Sequence, residues 1–198
     1  MLIAHRINTV DDLYAVPTYY GIEVDLRDSG PNIILSHDPF SSGEKFNDFL
    51  MHFHHAFIIL NIKSERIEWR VLELLNQHGI KNYFFLDCSF PMIVALSRMG
   101  ETHIALRYSE YEGLDTIRLM QKNVQWVWVD CFTKTPLTPE NALEIATLGL
   151  KVCLVSPELQ GRYNDVSAHI EYYQLHNIHP HMVCSKIMNL EKWQTLFN

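Results

Sequence analysis

Between residues 1 and 65, side chains able to handle protons, phosphate and metal ions recur at the ends of short apolar runs. His5-Arg6 follows Leu2–Ala4, and Glu23 and Asp25 lie within Gly21–Leu26. Ser36-His37-Asp38 follows Ile33–Leu35, and Asn61 and Lys63 close the segment that begins at Phe57. Two histidines can act as general base and general acid near neutral pH. Arg6 and Lys63 can balance a phosphoryl group and the charge that grows on it in a transition state. Glu23 and Asp25, two apart in a strand, point to one face while Ile22, Val24 and Leu26 point to the other. Two carboxylates spaced roughly 6–7 Å along a strand repel each other in a partly dry site unless a cation stands between them. A hard divalent ion such as Mg²⁺ or Ca²⁺ suits oxygen ligands. Any one of these pairs is commonplace on a solvent-facing strand. Their convergence carries the argument.

Elements must exist to bring these residues together. Short β-branched or aromatic runs recur at Leu2–Ala4, Ile22–Leu26, Ile33–Leu35, Phe57–Ile62, Tyr83–Leu86, His103–Leu106, Val124–Val129, Leu150–Val155 and His181–Cys184. Helical patterns lie between them at Ser64–His78, Phe90–Met99, Tyr111–Lys122, Pro139–Thr147 and Asn164–Leu175. In the first of these, Ile67, Val71, Leu74 and Leu75 form one apolar stripe. Pro91 and Pro139 fit the first turn of a helix, and Gly79, Gly100 and Gly149 fit its carboxyl-terminal cap. Strand-helix alternation through the chain predicts parallel strands covered by helices. About eight strands, with no Gly-x-Gly-x-x-Gly after any of them, favour a closed α/β barrel of the (β/α)8 TIM type over a doubly wound sheet. At 198 residues the barrel is compact, with some helices missing, and Ile22–Leu26 to Ile33–Leu35 leaves no room for one. The whole chain, 1–198, reads as one domain. In such a barrel the active site lies at the carboxyl ends of the strands, where the polar residues fall.

The order His5-Arg6, Glu23-x-Asp25, a turn Asp28-Ser29-Gly30, and Ile33-Ile34-Leu35-Ser36-His37-Asp38 resembles the signature of the glycerophosphodiester phosphodiesterases. That family shares a superfamily with phosphatidylinositol-specific phospholipase C and the spider-venom sphingomyelinase D enzymes. The resemblance covers roughly residues 1–65 and implies a phosphodiester hydrolase acting on a small soluble phosphodiester. It implies His5 as general base, His37 as general acid, Arg6 and Lys63 as phosphoryl contacts, and Glu23 and Asp25 as metal ligands. A hydroxyl next to the phosphodiester would attack phosphorus, and the cyclic phosphate would then be hydrolysed. Three positions depart from the pattern. Asn61 stands where the family has its third acidic metal ligand, which keeps an oxygen donor but removes a charge. Ile7 replaces a glycine, and the segment after it is reduced to Asn8-Thr9. Only Pro39–Asp48 stands where an insertion often follows the second histidine. These departures leave open an alternative: a catalytically decayed barrel that binds phosphodiesters or sugar phosphates.

Other candidates carry less. Asp87, Arg107, Asp130, Ser156, Glu158 and Lys186 follow later strands and are expected to rim the same mouth, with Asp130 and Glu158 possible substrate-binding residues. His52, His54 and His55 precede a strand and are expected on a surface helix at the opposite end, as are His176, His179 and His181. Trp126 and Trp128 are expected to fill core, and Cys88, Cys131, Cys153 and Cys184, without a CxxC pair, read as buried thiols. With 16 basic and 23 acidic residues, a net charge of −7 argues against nucleic-acid or anionic-membrane binding. The absence of a signal-like amino terminus points to a cytoplasmic protein.

Overall fold

The computed structural model describes residues 1–197. Strands form where apolar residues occupy consecutive positions, because each strand is buried on both faces. They are β1 (Leu2–Ala4), β2 (Gly21–Ser29), β3 (Asn32–Leu35), β4 (Phe57–Ile62), β5 (Tyr83–Leu86), β6 (Ala105–Tyr108), β7 (Trp126–Val129), β8 (Lys151–Val155) and β9 (Met182–Ser185). Eight of them pair side by side in the order β5-β4-β2-β1-β9-β8-β7-β6, and the named pairings along this path are parallel. The seam between β5 and β6 is held by a single parallel bridge, Phe85 to Ile104, where the Phe85 N–H donates to the His103 carbonyl at 2.8 Å. The result is a nearly closed (β/α)8-type barrel.

Alternation along the strands divides the core in two. Ile3, Ile59, Phe84, Trp126, Trp128 and Cys184 pack with others inside the barrel. Leu2, Ala4, Ile22, Val24, Leu26 and Leu60 face outward against the helices. Both tryptophans are therefore interior core, as their pattern predicts, and Cys131, Cys153 and Cys184 are buried thiols, whereas Cys88 is only half-buried.

The covering helices are α1 (Val10–Ala15), α2 (Phe46–Leu50), α3 (Glu68–Gln77), α4 (Phe90–Arg98), α5 (Asp115–Met120), α6 (Pro139–Thr147), α7 (Val166–Leu175) and α8 (Leu190–Trp193). Thr138 caps α6 by accepting from the Asn141 N–H, with Pro139 in the first turn. Gly79, Gly100 and Gly149 follow α3, α4 and α6 at φ of 69, 87 and 76°, the left-handed conformation of a helix cap. The three helices without an apolar pattern in the sequence are α1, α2 and α8, of 6, 5 and 4 residues.

Two expectations are corrected. β3 is not a parallel stave: it pairs antiparallel with the outer half of β2, from Leu26–Leu35 to Ser29–Asn32. The two-residue loop Gly30-Pro31, with Gly30 at φ 59°, returns the chain at once, as a tight hairpin turn with a positive φ at its first position does. Between β3 and β4 only the short α2 is α-helical; His52, His54 and His55 follow it in a turn and loop, and His176, His179 and His181 lie beyond the end of α7. They do lie at the amino ends of β4 and β9, away from the mouth. Among the described residues no helix is long and apolar enough to cross a membrane.

Candidate active site

The same alternation that buries Ile3, Ile59 and Cys184 inside the barrel carries inward-facing positions up to its carboxyl end. His5 continues the inward row of β1, Glu23 and Asp25 that of β2, and Asn61 and Lys63 that of β4. The pairing Asp25–Asn61 places the β2 carboxylate and the β4 amide at one level. These residues are in direct contact. Glu23, wholly buried, accepts the Arg6 N–H at 2.7 Å and the Asn61 Nδ2 amide at 2.8 Å. His5 Nε2 stands 3.7 Å from its Oε2. Asp25 lies between Arg6 Nε at 3.5 Å and Lys63 Nζ at 3.6 Å. The backbone at Arg6 is left-handed (φ 57°), uncommon for a residue with a side chain.

Asn8 was named in the sequence only as the remnant of a longer segment, yet it braces the site. Its Nδ2 donates to Asp25 Oδ2 and its Oδ1 accepts the Asp25 N–H, both at 2.9 Å. Arg27 was not singled out at all. Its guanidinium donates to the His37 carbonyl (3.0 and 3.2 Å) and to the Lys63 carbonyl at 3.0 Å. It thus ties the loop after β3 to the end of β4.

His37 reaches the mouth although β3 runs antiparallel, because the hairpin overhangs the barrel and the Ser36 N–H comes back to the Asp25 carbonyl at 2.9 Å. Its Nδ1 pairs with Asp38 Oδ1 at 2.8 Å, which holds the Asp38 carboxyl below its ordinary range. His37 lines an open groove of about 570 Å³ together with Arg6, Asn8, Ser36 and Glu44. Its side chain makes no hydrogen bond or ion pair with His5, Glu23 or Asp25.

Burial, followed by the Arg6 charge, drops the His5 pKa to about 4; Lys186 and Lys63 lower it further and Asp25 opposes. Burial and then the Asp25 charge push the Glu23 carboxyl up to about 7 against the pull of its two hydrogen bonds and Lys63. His5 is therefore neutral at ordinary pH, and Glu23 carries a proton for part of the time.

A polar ladder continues around the mouth. Lys63 meets Asp87 at 3.4 Å. Arg107 holds Asp87 through two bonds of 2.7 and 2.8 Å and bonds Asp130 on its other side. Asp130 also accepts from Gln160 at 2.7 Å and from the Trp128 indole at 3.1 Å. Glu158 is buried. It accepts from the Ser156 and Ser185 hydroxyls and, at 3.1 Å, from the Lys186 N–H, so it anchors the loops after β8 and β9.

Among the described residues no three His, Cys, Asp or Glu side chains are grouped to hold a metal ion. The donor set present is two carboxylates and one amide, Glu23, Asp25 and Asn61. It suits an oxygen-liganded cation in one respect: Asn61 Oδ1 is buried with no hydrogen-bond partner, and a buried acceptor left so costs about 1–3 kcal/mol. It lacks the third negative charge that would bind such an ion tightly.

The fold has counterparts in solved structures. The glycerophosphodiester phosphodiesterase of Agrobacterium tumefaciens superposes with a TM-score of 0.65 over 93% of this chain and 96% of its own, at 14% identity. The fold is that of the glycerophosphodiester phosphodiesterases. A glycerophosphoryl diester phosphodiesterase of Parabacteroides distasonis gives a TM-score of 0.59 over all of this chain and 86% of its own, at 10% identity. No family model matches the sequence, and no curated protein does. The glycerophosphodiester phosphodiesterase fold is thus held here by a chain that shares few residues with these structures.

Proposed function

We propose that this chain is a phosphodiesterase acting on a small soluble phosphodiester of the glycerophosphodiester kind. The observation that supports the reading most is the joining of His5, Arg6, Glu23, Asp25, Asn61 and Lys63 by direct contacts at the carboxyl mouth of this barrel. In this reading Arg6 and Lys63 hold the phosphoryl oxygens, giving up part of their pairing with Asp25 to do so. His5, neutral because it is buried among cations, accepts the proton of a hydroxyl neighbouring the phosphodiester as that oxygen bonds to phosphorus. His37, whose Nδ1 is taken by Asp38, presents Nε2 and gives a proton to the departing alcohol oxygen as its bond to phosphorus breaks. Water then opens the cyclic phosphate with the two histidines in exchanged roles. Glu23, Asp25 and the Asn61 oxygen would hold a divalent ion, Mg²⁺ or Ca²⁺, which when bound supplies positive charge toward the phosphoryl group. Asn8 and Arg27 keep Asp25, Lys63 and the His37 loop in place.

The other reading, a barrel that binds phosphodiesters without turning them over, is favoured by one feature. Asp25 is already neutralised by Arg6 and Lys63, so the site is electrically satisfied without a metal. Hydrolysis of a panel of soluble phosphodiesters with Mg²⁺, Ca²⁺, Mn²⁺ or EDTA separates the two. Turnover is expected to need metal and to fall at least about 10²-fold in both His5→Ala and His37→Ala. Binding without turnover under every metal would leave the binding module standing and overturn the enzyme.

A further inference from the structure

Of the cations at the barrel mouth, Arg6 and Lys63 face Asp25, and Arg107 faces Asp87 and Asp130. Lys186 differs. No carboxylate among the described residues lies within salt-bridge distance of its Nζ, which instead stands 3.3 Å from the Tyr163 hydroxyl and 4.9 Å from the centre of that ring. Its position is set by the fold. β1 pairs with β9 in the register Ala4–Ser185, and the His5 N–H donates to the Ser185 carbonyl at 2.9 Å, so the next residues, His5 and Lys186, leave adjacent strands at one level. Strands in a sheet lie about 4.8 Å apart. Lys186 also shares the inward parity of Cys184, as His5 shares that of Ile3. Both therefore head into the mouth. The Lys186 backbone is pinned by the buried Glu158 carboxylate at 3.1 Å, while Tyr163 is largely exposed at 63%.

The strand order β4-β2-β1-β9 puts Lys63 and the carboxylates on one side of His5 and Lys186 on the other. A phosphorus atom held by Arg6 and Lys63 beside His5 would direct one of its ester arms toward β9. We propose that Lys186, backed by Tyr163, binds a second anionic group on the alcohol portion of the substrate, so that the preferred phosphodiester carries an additional carboxylate or phosphate. This rests on the phosphodiesterase reading of the site. An uncompensated ammonium held over an aromatic ring, with its main chain locked by a buried acid, is a preset receptor for such a group. A neutral alcohol would leave it unused.

The test compares three diesters of glycerol 3-phosphate, in which the second alcohol is glycerol, glyceric acid or glycerol bearing a terminal phosphate. Wild type is expected to prefer one or both anionic diesters by about tenfold in kcat/KM, mainly through KM. Lys186→Met should bring that ratio to about one, and Lys186→Arg should restore most of it. Calorimetric binding of the same three compounds in EDTA reads the preference even where no turnover occurs, so a dead enzyme that still discriminates sinks the catalytic reading alone. Equal binding and turnover of all three by wild type, binding of none, or an unchanged preference in Lys186→Met would overturn the role given to Lys186.

Discussion

Replacing Asn61 by aspartate would set a third carboxylate beside Glu23 and Asp25. In the native chain the Asn61 amide donates to Glu23 at 2.8 Å while its oxygen has no partner. The substitution removes that donor and turns an attraction into a repulsion. Two like charges about 4 Å apart repel by about 4 kcal/mol at an effective dielectric constant of about 20. Glu23, which titrates near 7, escapes this repulsion at little cost at neutral pH by keeping its proton. At pH 8.5 holding that proton costs about 2 kcal/mol, so there Asn61→Asp should lose roughly 2 kcal/mol of stability in EDTA, a sizeable part of the 5–15 kcal/mol typical of a domain. A divalent ion reverses the sign, because three carboxylates then surround a cation. Urea denaturation of both proteins, with EDTA and with saturating Ca²⁺ or Mn²⁺, measures this directly. Metal should stabilise the variant by several kcal/mol more than wild type, following the linkage between binding and unfolding. If the variant is as stable as wild type in EDTA, or gains no more from metal, Glu23, Asp25 and position 61 do not form one electrostatic site.

The pH dependence of stability offers a second check. Glu23 titrates near 7 in the folded chain through burial and the Asp25 charge, against an ordinary value of about 4.3 when unfolded. The folded state therefore binds the extra proton, and the stability this contributes is present at low pH and lost as pH rises from about 4.3 to about 7. Glu23→Gln should remove that decline in metal-free denaturation curves. A mutation outside the chemistry tests the loop that carries His37. A Cβ on Gly43 would stand 2.0 Å from the Leu35 carbonyl oxygen, a backbone atom that cannot swing away. Gly43→Ala should therefore destabilise by about 1–3 kcal/mol, as overpacking does, and depress turnover more than His52→Ala at the far end of the barrel.

Much of this molecule could be read from one dimension. Helices α3 to α7 and nearly all strands announce themselves by apolar runs, prolines and capping glycines, because these act within a few residues along the chain. The paired carboxylates at Glu23 and Asp25 face the interior because strand alternation is a local rule, and His5, Arg6 and Lys63 follow from their places at strand ends. Tertiary structure alone decided what depends on a neighbour distant in sequence. β3 has the composition of a stave, but its pairing is settled by the two-residue Gly30-Pro31 turn and by β2 extending past the barrel wall. Glu158, one of several acids after strands, is buried because Ser156, Ser185 and the Lys186 N–H are there to receive it. Asn8 and Arg27 carry no signal in their own surroundings, since an amide or a guanidinium becomes a brace only when the fold delivers Asp25, or two carbonyls from residues 37 and 63, to its reach. Residue type and local period set which groups point inward. The barrel's register sets which of them meet.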